Sequence, residues 1–566
     1  MSLADAISAH VRPGDTIHAA YTNARPNAAL LQVARAYAGT DPRFTLVTAG
    51  MVNVQHSLVE MGLLAKVVAS FAGENYPMAR PNKAFQRALA EGRVTVENWS
   101  MWALIARLVA GALGVGHMPV RSIGGSSMAE ELDHSYAEIT DPFTGERTGV
   151  VAALRPDVVL LHAPAADEFG NLIISAPYGE AQWGSLAARR GVVATVERIV
   201  SSEEIIAHNE LVRIPAHLVR AVCVAPFGAH PYGLNSPNDL GVADYVDDAA
   251  FMQRVMTASR SSETFRGWIE EFVTGVADHD GYLEKVGEAA LDGVVDGARP
   301  DYWRHTLVEP WIGDCSPTER QVIAASRRIT RRCAEGEFDA ILSGVGLANL
   351  ASWVAGSTIR ERGLAVELMA EIGMFGYAPR PGEPFIFAHR NLSTSVQLTD
   401  VMTVLGAYVS GPGTRALGVL GAGEVDQRGN TNSTISADGS YIVGSGGAND
   451  IASGADEVLL TVAHDRLVDT VGYVTSPGGH VGSIVSSRGV FERRGDDFVL
   501  ISYIAARGVR LDEVVDQMRA ESPWRFTVAD DVAREEDPSA DELALLRSFD
   551  PERVFLRDSP LAEAAR

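Results

Sequence analysis

Glu371 is the residue in this sequence whose surroundings most demand a role. It lies in MAEIGMFGYAP, residues 369–379, where every other position is apolar, aromatic, glycine or proline. An ionised carboxylate in such company is costly unless something pairs with it or uses it. The local sequence leaves two readings, a functional carboxylate or a structural one capping a turn. Two glycine-rich stretches stand near it in the chain: GVGLANL (344–350) and GSGGANDIAS (444–453), each opening a predicted helix. Free backbone amides at such a turn suit an anion, and the same glycines equally suit a tight approach of helix to sheet. Cys223, Cys315 and Cys333 have neither CxxC spacing nor a histidine at ligand spacing, so no metal site and no disulfide is predicted. They read as reduced thiols of a cytoplasmic protein, with Cys223 in the strand-like AVCVAPF.

The elements that must position these residues are written twice. The first half contains DVVLLHAPAADEFGNLIISAPYGEAQWGSLAARRGVVATV (157–196), and the second RALGVLGAGEVDQRGNTNSTISADGSYIVGSGGANDIASGADEVLLTV (415–462). Both run from an apolar stretch into Asp-x-x-Gly-Asn, then Gly-Ser, then another apolar stretch. Asp caps such a turn, and Gly and Asn tolerate positive φ. Recurrence half a chain apart marks two related halves. Each half also opens alike, as strand, small-residue turn and helix, at 14–34 and 336–355. Near-continuous apolar strands alternating with helices predict an α/β fold: two related, open, mostly parallel sheets with helices on both faces. The predicted organisation is a first domain over 1–285, a connection over 286–317 and a second domain over 318–566.

With 566 residues, 46% of them hydrophobic, the chain supports two large cores. No uninterrupted apolar stretch is long enough to span a membrane. The opening MSLADAISAHVRPGD lacks the basic and apolar regions of a signal peptide, so a cytoplasmic protein is expected. Its 48 basic and 72 acidic residues give a net charge of −24, which argues against nucleic acid or an anionic membrane as partner. A small anionic ligand held by backbone amides is compatible with that charge.

Several long motifs, in order, resemble the class I coenzyme A transferases of the glutaconate/3-oxoacid branch, with both subunits fused in one chain. The first half is similar to the α-subunit through GDTIHAAYTNARP, GALGVGHMPVRSI, DPFTGE, LRPDVVLLHAPAADEFGN and IPAHLVRAVCVAPFGAHP. The second is similar to the β-subunit through GVGLANLASWVA, AEIGMFG, GEVDQRGNTN, GSGGANDIAS, YVTSPG and DPERVFL. The resemblance implies that Glu371, followed by Gly373 and Gly376 in Glu-x-Gly-x-x-Gly, is a nucleophile that carries CoA as a glutamyl thioester between an acyl-CoA and a carboxylic acid. Glu367, four residues earlier, lacks that glycine pattern. The preceding GLAVELMA would be a strand with Glu371 at its C-terminal end, where open α/β sheets bind ligands. Glycine there would let substrate approach the backbone.

Further roles follow from the same resemblance. Gly344, Gly346, Gly444, Gly446, Gly447 and Asn449 would line the CoA site. Ala19 and Ala20 stand where relatives have a Gly-Gly loop that supplies oxyanion N–H groups. Alanine keeps the N–H but loses easy access to positive φ, so the oxyanion geometry, and even the reaction, is open to change. Glu97, in RVTVENWSMWALIARL, is a second acid/base candidate, because some relatives are hydrolases that use acidic residues of the first half. It equally suits the N-terminus of the following helix. His117 and His230 read as structural loop histidines, and EDPSADELALLRSFDPERV (536–554) as a solvated helix. The expected function is CoA transfer with CoA as substrate and without metal or cofactor, in a homo-oligomer. The alternatives are an acyl-CoA or ring-opening hydrolase on the same scaffold, and an inactive CoA-binding protein.

Overall fold

The computed structural model describes residues 1–237, 239–336 and 338–557. The first half builds a parallel sheet of seven strands in the order 219–224, 192–199, 158–166, 16–19, 44–52, 64–73, 95–98. Two short antiparallel strands, Leu172–Ile173 and Val212–Ile214, extend it beside 158–166. The chain starts at the central strand Thr16–Ala19, builds outward to 95–98, then returns to the other side at 158–166. That reversal places the loops after 16–19 and 158–166 around one crevice. The second half repeats the scheme. Its parallel strands run 367–370, 340–343, 416–421, 457–462, 481–486, with antiparallel strands added at both edges. The strands are nearly all buried apolar residues, as a sheet covered on both faces requires.

The duplicated turn is the same device in both copies. The Asp167 carboxylate accepts from the Gly170 and Asn171 N–H groups and from Asn171 Nδ2. Asp426 accepts from the Arg428 and Asn430 N–H groups and from Asn430 Nδ2. Between the halves, residues 286–317 form the helices Glu288–Gly297 and Tyr302–His305 and then an irregular stretch that runs into the long helix Pro317–Gly336. Among the described residues no helix is long and apolar enough to cross a membrane.

The two halves are joined by backbone hydrogen bonds rather than only touching. Ala72 N–H donates to the Val443 carbonyl at 2.9 Å, Gly446 N–H to Ser70 at 2.8 Å, and Met101 N–H to Gly446 at 2.9 Å. Asp450, fully buried, accepts from the Ser100 and Ser122 hydroxyls and from the Trp102 N–H. One hydrophobic core runs through residues of both halves, from Trp99 and Trp102 to Leu405 and Ile451.

The C-terminal helix differs from its expectation. Ala540–Phe549 is not a solvated helix: Leu546, Arg547 and Phe549 are buried. Phe549 meets Trp353 edge-on at 5.3 Å, and Arg547 pairs with the fully buried Glu319. Its buried face combines apolar packing at Leu546 and Phe549 with that ion pair.

Candidate active site

Glu371 follows directly on the strand Glu367–Ala370, at the C-terminal edge of the second sheet. The glycine pattern then turns the chain back as the short strand Met374–Phe375. Gly373 at φ +120° and Gly376 at φ +67° occupy conformations that favour glycine. Their bare faces are filled by protein, not left for substrate. A Cβ on Gly373 would strike the Thr399 carbonyl, and one on Gly376 would lie 2.8 Å from Val396. Their N–H groups donate to Ala370 and Leu368, so neither is a free oxyanion donor. The glycines therefore bend the chain to present Glu371.

That bend is tied to the first half. Thr399 N–H donates to the Gly373 carbonyl at 2.7 Å, and Tyr178 N–H donates to Thr399 at 2.7 Å. Val401 N–H donates to Gly179 at 3.1 Å, and Glu180 N–H to the Tyr21 carbonyl at 3.2 Å. The loop after Thr16–Ala19 and the Glu371 loop thus share one framework, although they lie 350 residues apart in the chain (371 − 21).

Glu371 keeps a partial opening to solvent while protein crowds it closely. Burial, and then the nearby Asp450 charge, raise its pKa to about 7, against the Gly447 N–H, which favours the ionised form. No ion pair to Glu371 forms among the described residues. A carboxylate with few partners and restricted water is a stronger nucleophile than a hydrated one. Gly447 bounds the site from the other side, because a Cβ there would lie on Glu371 Oε2. Its φ of −86° is open to any residue, so the fold tolerates alanine while the carboxylate must move. Gly447→Ala is expected to lower kcat/KM by about 10²-fold, the scale of a misplacement of about 1 Å, with an unchanged thermal midpoint. Steady-state kinetics beside a thermal melt checks both.

The other glycines divide. Gly346, at φ +106°, and Gly446 have nothing within 4 Å of an added Cβ, so their faces are open. Gly344 meets only Leu420 and Val419, at 3.5 Å and beyond. Gly444 is closed by the Ser70 carbonyl. Asn449 is fully buried, and its side chain bonds the Ile123 N–H and the Thr475 carbonyl. It locks the halves together and has no face left for CoA.

Ala20 also departs from its expected part. Its N–H donates to the Leu160 carbonyl at 2.9 Å and is unavailable to an oxyanion, and both Ala19 and Ala20 are buried in the sheet. Glu97 lies in the strand Thr95–Asn98, not at a helix N-terminus; Ser100 caps that helix. Burial alone would raise its pKa, but Lys66, the Trp99 indole N–H and Arg107 prevail and hold it at about 2. A carboxylate so paired is a poor base at neutral pH. His117 is exposed in the strand His117–Val120. His230 is buried between Tyr282 and Asp248.

Sequence reasoning missed Glu180 and Arg25. Glu180 is buried with neither oxygen hydrogen-bonded among the described residues, and burial pushes its pKa to about 8. Arg25 is held between the Tyr21 and Tyr232 rings. The electrostatics of the Tyr21 hydroxyl couple it to Arg25, Glu180 and Glu371 together. A cleft of about 760 Å³ runs between the two halves, past Trp102, Met118, Arg121, Met402 and His480; Glu371, Glu180 and Arg25 are not among the residues that line it. Among the described residues no group of His, Cys, Asp and Glu has the arrangement of a metal site.

Residues 1–225 match the family described as Coenzyme A transferase. The chain is 29% identical over 292 residues to one subunit of the 3-oxoadipate CoA-transferase of Pseudomonas knackmussii, covering 51% of this chain and 98% of that one. The other subunit of the same enzyme is 25% identical over 256 residues, covering 42% of this chain and 93% of its own. A single-chain acyl-CoA transferase of Escherichia coli O157:H7, solved as a thioester complex with CoA, covers 95% of this chain with a TM-score of 0.66. At 16% identity that likeness establishes the fold.

Proposed function

We propose that this chain, a coenzyme A transferase family member over residues 1–225 and similar to the two subunits of such an enzyme in turn, moves CoA between an acyl-CoA and a carboxylic acid through Glu371. The observation that carries this reading is the placement of Glu371: a strand-end carboxylate, partly open, free of ion pairs among the described residues and crowded enough to be desolvated.

The chemistry suits such a group. A Glu371 oxygen attacks the thioester carbonyl, the C–S bond breaks, and CoA leaves as thiolate, giving a mixed anhydride. The thiolate attacks the glutamyl carbonyl and the first carboxylate leaves, giving a glutamyl-CoA thioester. The acceptor carboxylate then attacks that thioester, and the same two steps in reverse return Glu371 and the new acyl-CoA. No net proton or electron moves, so no redox cofactor is called for. Two easier exchanges replace one hard one. The E. coli protein of the same fold, solved as a thioester with CoA, is in keeping with this route. The role of oxyanion donor falls to N–H groups other than those of Ala20, Gly373 and Gly376. The protein acts in the cytoplasm as an assembly of copies.

Incubation with acyl-CoA and an isotopically labelled acid tests this. The expected result is a labelled new thioester, ping-pong kinetics, and a kcat/KM that rises with pH through about 7 as Glu371 ionises. Release of free CoA at a rate indifferent to the acid would overturn it in favour of hydrolysis.

A further inference from the structure

Glu180 and His18 face each other as a buried pair. Their side chains are 1% and 0% exposed, and Glu180 Oε1 lies 3.9 Å from His18 Nε2. Neither Glu180 oxygen nor His18 Nε2 has a hydrogen-bond partner among the described residues. The other ring nitrogen fixes the tautomer. His18 Nδ1 lies 3.0 Å from the Val47 carbonyl, which can only accept, so Nδ1 carries the ring proton and Nε2 presents a lone pair. Gly184 makes room for the ring, since a Cβ there would lie 2.2 Å from Nε2. A carboxylate facing that lone pair is repelled, whereas a carboxyl O–H facing it is a donor meeting an acceptor. The gap exceeds a hydrogen bond by about 1 Å, which a small turn of the Glu180 side chain covers.

The pair stands under the framework that seats Glu371. Glu180 ends the turn Tyr178–Glu180, in which the Tyr178 N–H donates to Thr399, the Gly179 carbonyl accepts from Val401 and the Glu180 N–H donates to Tyr21. Thr399 in turn donates to Gly373, two residues after Glu371. The charged groups of the elements packed on this turn are engaged elsewhere. Arg107, the one charged residue of the helix Met101–Leu113, is bound to Glu97. His162 of the strand 158–166 is bound to Glu197, Arg213 lies over the Tyr178 ring, and Asp400 accepts from Trp183. Arg25 is bound to the Gly50 carbonyl between the Tyr21 and Tyr232 rings. Arg25 and the backbone amides of Glu180, Ala49 and Tyr21 favour a charged Glu180, but burial outweighs them and raises the carboxyl to about 8. Burial also lowers His18 to about 4. At neutral pH the facing atoms therefore hold one proton, and it sits on Glu180.

Building on the transferase reading, we propose that Glu180 is a positioning residue: its carboxyl proton, donated to His18 Nε2, locks the turn that seats Glu371, and transfer is lost when that proton leaves.

The test pairs pH profiles of kcat/KM with infrared spectra of the resting protein, for the wild type and Glu180→Gln. The wild-type kcat/KM is expected to fall on the alkaline side with a midpoint near pH 8, losing more than about tenfold between pH 7.5 and 9.5. The Gln amide still donates to Nε2 and cannot ionise, so Glu180→Gln should keep most of the neutral-pH rate and stay level to pH 9.5. Glu180→Leu, which leaves Nε2 without a donor, should lose about tenfold at every pH. The spectra should show a carboxyl C=O band that titrates near pH 8 in the wild type and is missing from Glu180→Gln. An alkaline fall that Glu180→Gln retains would overturn the proposal, and so would an equal loss at every pH in that variant, the mark of a merely structural carboxyl. The spectra need no substrate, so they separate the two readings. The band in a protein that transfers CoA to no acid would sink the transferase and leave the Glu180–His18 proton standing. Transfer without the band would do the reverse.

Discussion

Glu371→Gln is expected to abolish transfer, with kcat falling by at least about 10⁴-fold, because an amide cannot form the anhydride. The same variant should be more stable than the wild type at pH 8. The carboxyl ionises near 4.5 in an unfolded chain and near 7 in the folded one. The folded state therefore favours the protonated form. Below about 4.5 both states are protonated and Glu371 carries no penalty. Between 4.5 and 7 the cost of its buried charge grows, and above 7 it is constant. Gln removes that cost, a gain of about 2 kcal/mol after allowance for the site's partial opening. Urea unfolding of both proteins at pH 8 and pH 4 checks it: the variant leads at pH 8, and the curves converge at pH 4. A structural turn-capping carboxylate would behave in the opposite way, with activity kept and stability lost.

Arg547→Met is expected to destabilise the protein by about 3–5 kcal/mol, the cost of leaving a buried charge without its partner. Arg547 holds Glu319 with two hydrogen bonds, at 2.7 and 3.2 Å, in a place where Glu319 is fully buried. It also bonds the Trp311 and Gly313 carbonyls and stacks over the Trp311 ring at 3.7 Å. One side chain thus fixes the C-terminal helix, the start of the helix Pro317–Gly336 and the stretch leading into it. The denaturation midpoint should drop, and the double variant Glu319→Gln with Arg547→Met should recover much of the loss. A single variant as stable as the wild type would show that the helix is held by its apolar contacts alone.

These two cases mark what the sequence reveals and what it hides. Features whose physics is local were legible. The Asp-x-x-Gly-Asn turns were, because their bonds close within four residues, and the parallel sheets were, because a strand covered on both faces must be apolar throughout. Glu371 stood out because its neighbours are apolar. The roles of its neighbours were not legible, since each depends on a partner far along the chain. Ala20 gives its N–H to Leu160, Gly373 makes room for Thr399, and Asn449 holds Ile123. In sequence, Gly373 looks like space for substrate; in the fold, protein takes the space. Glu97 kept two readings until Lys66 and Arg107 were seen around it. Arg25 sits inside the motif GDTIHAAYTNARP yet resembles any surface arginine, until the fold brings Tyr232 and Gly50 to it. The C-terminal helix looked solvated because acidic residues open it, and the partner of its buried Arg547, Glu319, lies 228 residues away.

In the proposed route Glu371 carries CoA covalently. The most direct measurement is to incubate the protein with acyl-CoA and no acceptor, reduce with borohydride, and map the modified residue by peptide mass spectrometry. A single altered peptide is expected, with Glu371 reduced from its thioester to the alcohol. CoA released steadily with Glu371 unmodified, or an adduct on another residue, would contradict it.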